Sequence, residues 1–195
     1  MTIERFIPYP HGTARNVMRL PLWGYRVGLG NLLDMLGVMI LTTRGHQSGQ
    51  PRHTPITYQV HGSKVYMVSG WGDRPSWYRN LIAQPDVTVQ RGSTVYAGRA
   101  YPVTNSGEAL RVLHLFRRRA PGIYDALIAR LSDRESIDAS TLHQVTDRFT
   151  IVRVEPVPGA ATLPAVPVDT RWMPPAALFA VALVIALVVS GRRRA

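Results

Sequence analysis

Two hydrophobic periods divide the chain. Between residues 14 and 36, Val17, Leu20, Leu22, Trp23, Val27, Leu29, Leu32, Leu33 and Leu36 form an apolar stripe at helix-like spacing. Arg15, Arg19 and Arg26 take the polar side, and Pro21 and several Gly interrupt the stripe. Such a face either packs on a domain or lies on a membrane surface. From residue 38 the period shortens towards two. Strands are predicted over 38–43, 53–60, 64–70, 87–91, 94–103 and 147–157, because apolar and β-branched residues alternate there between Gly, Ser, Asn and Asp turns. Pro55, inside the second of these, marks an edge or ligand-facing position.

Helices are expected over 74–86, opened by Pro75 and Ser76 and closed by Pro85, and over 107–119, capped by Asn105 or Ser106. A further helix is expected at about 122–132. No sustained strand–helix alternation runs through the sequence, so a doubly wound sheet is excluded. The class is mainly β with peripheral helices, and six strands in antiparallel runs suggest a small barrel.

The pattern then changes twice. Residues 156–171 are a linker in which Pro156, Pro158, Pro164 and Pro167 punctuate a stretch with no basic residue before Arg171. Fully extended, 156–169 would reach roughly 43 Å at about 3.1 Å per residue, a semi-rigid tether. Residues 172–190 carry no charge, and Gly191–Arg192–Arg193–Arg194 follows. About 18 helical residues span roughly 27 Å, close to the hydrocarbon thickness. A transmembrane helix is therefore expected over 172–190, with Trp172 at one interface and 191–195 as a basic tail. The expected organisation is a helical segment at 1–37, a barrel at 38–155, the linker, the span and the tail.

Composition narrows the chemistry. The chain has 195 residues and no Cys, which excludes disulfides and thiolate chemistry. The six His show no pair at helical ligand spacing, so no metal site is expected. The formal net charge of +11 comes from 22 Arg and a single Lys against 12 acidic residues. That excess favours anionic partners. Nucleic acid is not among those expected, because the basic residues are dispersed and no recognition motif occurs. The N-terminus lacks a secretory apolar core. The positive-inside rule would put the Arg tail in the cytoplasm and the domain outside. With no export signal, the opposite arrangement is favoured: a tail anchor with the domain on the cytoplasmic side.

Two stretches could carry function. In "LTTRGHQSGQPRHTP" (41–55), a Gly-rich turn joins two strands and collects Arg, His and Ser. It is either a wide surface hairpin or a cradle for an anion, with Thr43, Ser48 and Arg52 as donors and Arg44 turned outward by alternation. In "VSGWGDRPSWYRNL" (68–81), Ser69, Gly70, Trp71 and Gly72 pass from a strand into a helix. Such a junction can take an anion or a ring edge. Trp71, Trp77 and Tyr78 add flat surfaces there, Trp77 being equally suited to fill the core. Nucleophile elbows, Walker loops and paired carboxylates are missing. A protein without such groups can take its chemistry from a cofactor.

Together with "QPDVTVQ" (84–90), these motifs resemble the deazaflavin (coenzyme F420)-dependent nitroreductase and quinone reductase family over about residues 14–155. The family's first motif reads about T-T-x-G-R-K-S-G-x-x-R-x-T-P, and Thr42, Thr43, Gly45, Ser48, Gly49, Arg52, Thr54 and Pro55 match it. The resemblance implies a split β-barrel of the FMN-binding type and hydride transfer from reduced F420 to a quinone, nitro compound or similar acceptor. It places Thr43, His46, Gln47, Ser48, Gly49, Arg52, Thr54, Pro55, Ser69, Gly70, Trp71, Gly72, Trp77 and Asn80 at the cofactor. Tyr124, in "APGIYDALIAR", and Ser69 are its catalytic candidates, and a homodimer is implied on the same ground. His46 and Gln47 stand where the family has adjacent Arg and Lys, leaving Arg44 as the nearby cation. An ordinary flavin (FMN or FAD), or a non-catalytic membrane-anchored barrel, is the alternative.

Overall fold

The computed structural model describes residues 12–119, 124–125, 149–169 and 171. The expected span at 172–190 and most of the helix expected at 122–132 lie outside these residues, although Tyr124 and Asp125 are helical. Among the described residues no helix is long and apolar enough to cross a membrane.

Seven antiparallel strands form one sheet: β1 (Val38–Arg44), β2 (Pro51–Thr57), β3 (Gln59–His61), β4 (Lys64–Ser69), β5 (Asp86–Arg91), β6 (Thr94–Pro102) and β7 (Thr150–Pro156). Their order is β2-β1-β5-β6-β7-β4-β3. The two edges, β2 and β3, are consecutive in the chain with only Tyr58 between them. The strand expected at 53–60 thus pairs with β1 first and with β4 afterwards, and the sheet closes through it. Carried round strand by strand, the register leaves this closing strand at Pro51 and returns to it at His61, ten residues along. Such a stagger tilts the strands steeply and lets six strands close around a filled interior.

Alternation decides what fills it. Met39, Leu41, Tyr58, Val65, Met67, Val87, Val89, Ala100, Val152 and Val154 point inward, and Leu81 of α4 (Ser76–Ala83) plugs the same cluster. Burying each of the Val, Leu and Met side chains is worth about 1.5–3 kcal/mol. The outer face of β4 and β7 carries Tyr66 and Ile151 beneath α5 (Ser106–Arg119), which contributes Ala109, Val112, Leu113 and Phe116. Asn105 caps α5: its Oδ1 accepts from Glu108 N at 2.9 Å.

The outer face of β1 is also covered, which is why "VMILTT" reads as a continuous apolar run. Ile40 packs against Tyr25 and Val166. The stripe at 14–36 folds as three short helices, α1 (Gly12–Val17), α2 (Leu20–Arg26) and α3 (Gly30–Met35). Only part of it is buried. Tyr25, Leu22 and Leu33 face the barrel, whereas Leu20, Trp23, Leu32, Met35 and Leu36 stay exposed.

The Pro-rich segment read as a tether is laid on the barrel along its described length. Thr88 Oγ1 donates to Leu163 O at 2.8 Å, and Val166 N donates to Gln90 Oε1 at 3.0 Å. Leu163 and Val166 are buried, and Asp169 N reaches Arg26 O at 2.7 Å. Proline spacing suggested an extended chain. That extension leaves backbone groups unpaired, and the outward Thr88 and Gln90 of β5 take them up.

Candidate functional site

The turn between β1 and β2 is built by its glycines. Gly45 N donates to Gln50 O at 2.9 Å, and Gly49 N to Gly45 O at 2.7 Å. Gly49 has φ of +66°, and a Cβ on Gly45 would meet Ser48 Oγ at 2.6 Å. These glycine N–H groups are spent inside the turn and not offered to an anion, so the role of the glycines is shape. What the turn presents outward is side chains: Arg44, His46, Gln47 and Ser48 are exposed, as is Arg52 at the start of β2. Arg44 Nη1 rests on Gly49 O at 3.2 Å and Arg52 Nη2 on Ser48 Oγ at 3.3 Å. Both are weak neutral acceptors, and among the described residues no carboxylate pairs with either guanidinium. No carboxylate occurs anywhere in 41–55. This donor set fits a phosphate-bearing group.

Register sorts the remaining candidates. Arg52 pairs with Thr43 and Thr54 with Leu41, so Arg52 and Thr54 share the inward face at the barrel mouth. Pro55 lies opposite Ile40, on the outer face. His53 is outward too, 2.8 Å from Thr42 Oγ1, and burial followed by the nearby Arg26 charge lowers its pKa.

Asn80 holds the mouth together. It is 2% exposed, with Nδ2 donating to Thr43 Oγ1 at 2.9 Å and Oδ1 accepting from His46 N at 3.0 Å. His46 Nδ1 lies 2.7 Å from the same oxygen. Thr43 is itself wholly buried, so its hydroxyl ties α4 to β1. Sequence reading placed Asn80 at the cofactor without seeing this role. The available signal was its phase: with Trp77 and Leu81 it lies on the buried stripe of α4, where a polar side chain needs a polar partner.

The second stretch forms the loop between β4 and α4. Ser69 is 2% exposed, and its hydroxyl donates to Gly72 O at 2.6 Å. That proton is committed within the loop, which argues against Ser69 as a proton donor to substrate. Gly70, Trp71 and Gly72 are half-buried around it. Trp77 packs against the barrel cluster and meets Tyr78 edge-on at 6.0 Å, which favours the core-filling reading.

Tyr124 is not brought to the turn. It packs under α5, 5.6 Å from the Phe116 ring, and hydrogen-bonds Thr57 at the far end of β2. The length of β2, roughly 20 Å at about 3.3 Å per residue, separates it from the turn. Burial raises its pKa, outweighing the Thr57 hydrogen bond and the Arg119 charge. The phenol therefore stays protonated at neutral pH.

An open groove of about 580 Å³ lies elsewhere, lined by His61, Lys64, Tyr66, Glu108, Arg111 and Arg153 among others. Its charges are largely paired. Arg153 Nη1 donates to both oxygens of Glu108 at 2.9 Å, Tyr66 OH donates to Glu108 Oε1 at 2.8 Å, and Lys64 Nζ is 3.1 Å from Glu155. Burial alone would raise Glu108. Hydrogen bonds from Arg153 and Tyr66 outweigh it and carry the pKa below the ordinary value. None of the candidates read from sequence lines this groove. Among the described residues no cluster of His and carboxylates could hold a metal ion.

The sequence matches the profile of the family described as F420H(2)-dependent quinone reductase over residues 18–136. An F420H(2)-dependent quinone reductase of Mycobacterium tuberculosis (strain ATCC 25618 / H37Rv) is 37% identical over 68 residues, covering 33% of this chain and 46% of that protein. The chain thus spans about half the length of that relative. Among solved structures, the F420-H2 dependent reductase FDR-A aligns with a TM-score of 0.44 and 26% identity, over 61% of this chain and 94% of that one. The match over 18–136 takes in the turn, α4 and the loop before it, and the chain belongs to the F420H(2)-dependent quinone reductase family.

Proposed function

We propose that this protein binds coenzyme F420 at the barrel mouth and serves its oxidation by a quinone or similar small organic acceptor. The observation that carries the reading is the turn at 44–52. It exposes Arg44, His46 and Arg52 without a carboxylate and is held in shape by the buried Asn80. When bound, reduced F420 supplies a hydride. The chain's own residues bind and orient. Arg52, Arg44 and Ser48 would hold the phosphate, and Gln47 would add an amide donor. Thr54, on the inward face beside Arg52, would line the mouth. Gly70, Trp71 and Gly72 would bound the ring. Tyr124, kept protonated by burial, is the proposed donor of a hydrogen bond to the acceptor oxygen.

The same reading draws the acceptor from a bilayer. Two features support it: the exposed Leu20, Trp23, Leu32, Met35 and Leu36 of the N-terminal helices, and the charge-free run at 172–190. A tethered domain would meet a lipid-soluble quinone at raised effective concentration. The domain is proposed to face the cytoplasm, and protease protection in sealed vesicles tests that side. A homodimer is proposed on the family resemblance, with sedimentation as its measure.

Replacement of the family's Arg and Lys by His46 and Gln47 favours a second reading, an ordinary flavin in the same mouth. Titration of the purified protein with F420, FMN and FAD separates the two. Saturable binding of F420 at micromolar concentration is expected. Binding of FMN or FAD alone would replace the first reading with the second. An absence of F420 binding at high micromolar concentration would overturn the first.

A further inference from the structure

The orientation of the Asn80 amide follows from its neighbours. The backbone N–H of His46 can only donate, so the Asn80 atom 3.0 Å away is the oxygen. Its nitrogen is then the donor to Thr43 Oγ1 at 2.9 Å. His46 Nδ1 lies 2.7 Å from that same oxygen, and an oxygen acceptor requires Nδ1 to carry a proton. Neutral imidazole has one N–H, so Nε2 of the exposed ring is left with a lone pair. A lone pair repels a phosphate oxygen. Only the imidazolium offers N–H at Nε2.

We infer that His46 is a proton-dependent anion contact whose tautomer Asn80 dictates: it holds the phosphate of F420 only as imidazolium, so binding takes up a proton from solvent. This rests on the proposed F420 site and sharpens it. Where the family pattern has a permanently charged Arg, this chain has a cation that exists only when protonated. The charged side chains around the turn are Arg44 of β1, Arg52 of β2, Arg79 of α4, Asp73 and Arg74 in the loop before α4, and Asp86 of β5, two residues beyond the Thr42–Thr88 pair and 3.3 Å from Arg99. His53, also in β2, faces the opposite side with Thr42 and has its pKa lowered by burial and Arg26. Arg44 and Arg52 supply binding at every pH, and His46 adds to it as pH falls.

Two measurements test this. Long-range nitrogen–proton NMR correlations on the cofactor-free protein should show neutral His46 protonated at Nδ1. Protonation at Nε2 would overturn the inference whatever F420 does. F420 affinity, followed by fluorescence between pH 5.5 and 8, should weaken about tenfold more steeply with rising pH in the native protein than in His46→Arg. Ionisation of F420 itself is common to both and cancels. Calorimetry in buffers of different ionisation enthalpy should show proton uptake on binding that His46→Arg abolishes. Parallel pH profiles with intact binding would overturn the His46 role and leave the F420 site standing. If neither protein binds F420 at any pH, the site reading itself falls.

Discussion

The β1–β2 turn and the groove beneath α5 each gather Arg and His, and they use charge in opposite ways. In the groove, Arg153 and Lys64 are neutralised by Glu108 and Glu155, and the pairs pin α5 to β4 and β7. In the turn, among the described residues, Arg44 and Arg52 rest on a carbonyl and a hydroxyl and on no carboxylate. A cation whose counter-charge lies within the fold contributes to stability; a cation without one is available to a ligand. The total charge of +11 cannot distinguish these two uses.

The largest expected effect that would break this contrast lies in the turn. Arg44→Ala with Arg52→Ala removes two charge-assisted contacts, each worth about 1.5–3 kcal/mol. F420 affinity should fall at least 100-fold while the melting temperature stays nearly constant. A large fall in melting temperature would show that these Arg are structural after all.

In the groove the pattern should reverse. Glu108→Gln removes a half-buried carboxylate bonded by Arg153 and Tyr66. A loss of about 1.5–3 kcal/mol is expected, roughly 4–8 °C in melting temperature, with F420 affinity unchanged. Scanning calorimetry beside the cofactor titration checks both halves.

A smaller effect is the pH dependence of stability. The folded state depresses the pKa of His53 below its unfolded value near 6.5. Its contribution is present above that pH and lost as pH falls through the lower folded value. Glu108, also depressed, behaves alike in the carboxylate range, holding stability above its unfolded pKa and losing it on further acidification. The melting temperature should therefore fall in two stages from neutral to acidic pH. His53→Asn should remove the first and Glu108→Gln the second.

Much of the scaffold was legible in local pattern. Strands at 38–43, 64–70, 87–91 and 94–103 and helices near 74–86 and 107–119 follow from alternation, capping and Gly or Pro punctuation, and the structure has them within a few residues. The seventh strand was missed because β2 and β3 are one run of residues that changes partner at Tyr58. Period two marks a strand and does not name its neighbour. Arg91 Nε donates to the Tyr58 hydroxyl at 3.0 Å, and that hydroxyl donates in turn to Asp34 of α3. Burial first, then Asp34, pushes the Tyr58 pKa up to about 12. This lock joins residues scattered over more than fifty positions, beyond the reach of any local motif.

The candidate site divides the same way. Its ligand-facing chemistry, two Arg, a His and a Ser on a Gly-shaped turn, was written in fifteen consecutive residues. Its support was not. Thr43 and Ser69 read as ligand groups without the neighbours the fold gives them, the Asn80 amide donating to Thr43 and the Gly72 carbonyl accepting from Ser69, and Asn80 carried no sign of which turn it would hold.

By itself the sequence determined most of the described strands and helices, the family and the basic turn, because periodicity, capping and turn chemistry act between residues a few positions apart. Only the tertiary structure decided where the barrel closes, which of the described cations keep a counter-charge and which side chain stands against His46 Nδ1. Each of these depends on a partner brought close by the tilt and closure of the sheet, from thirty or more residues away.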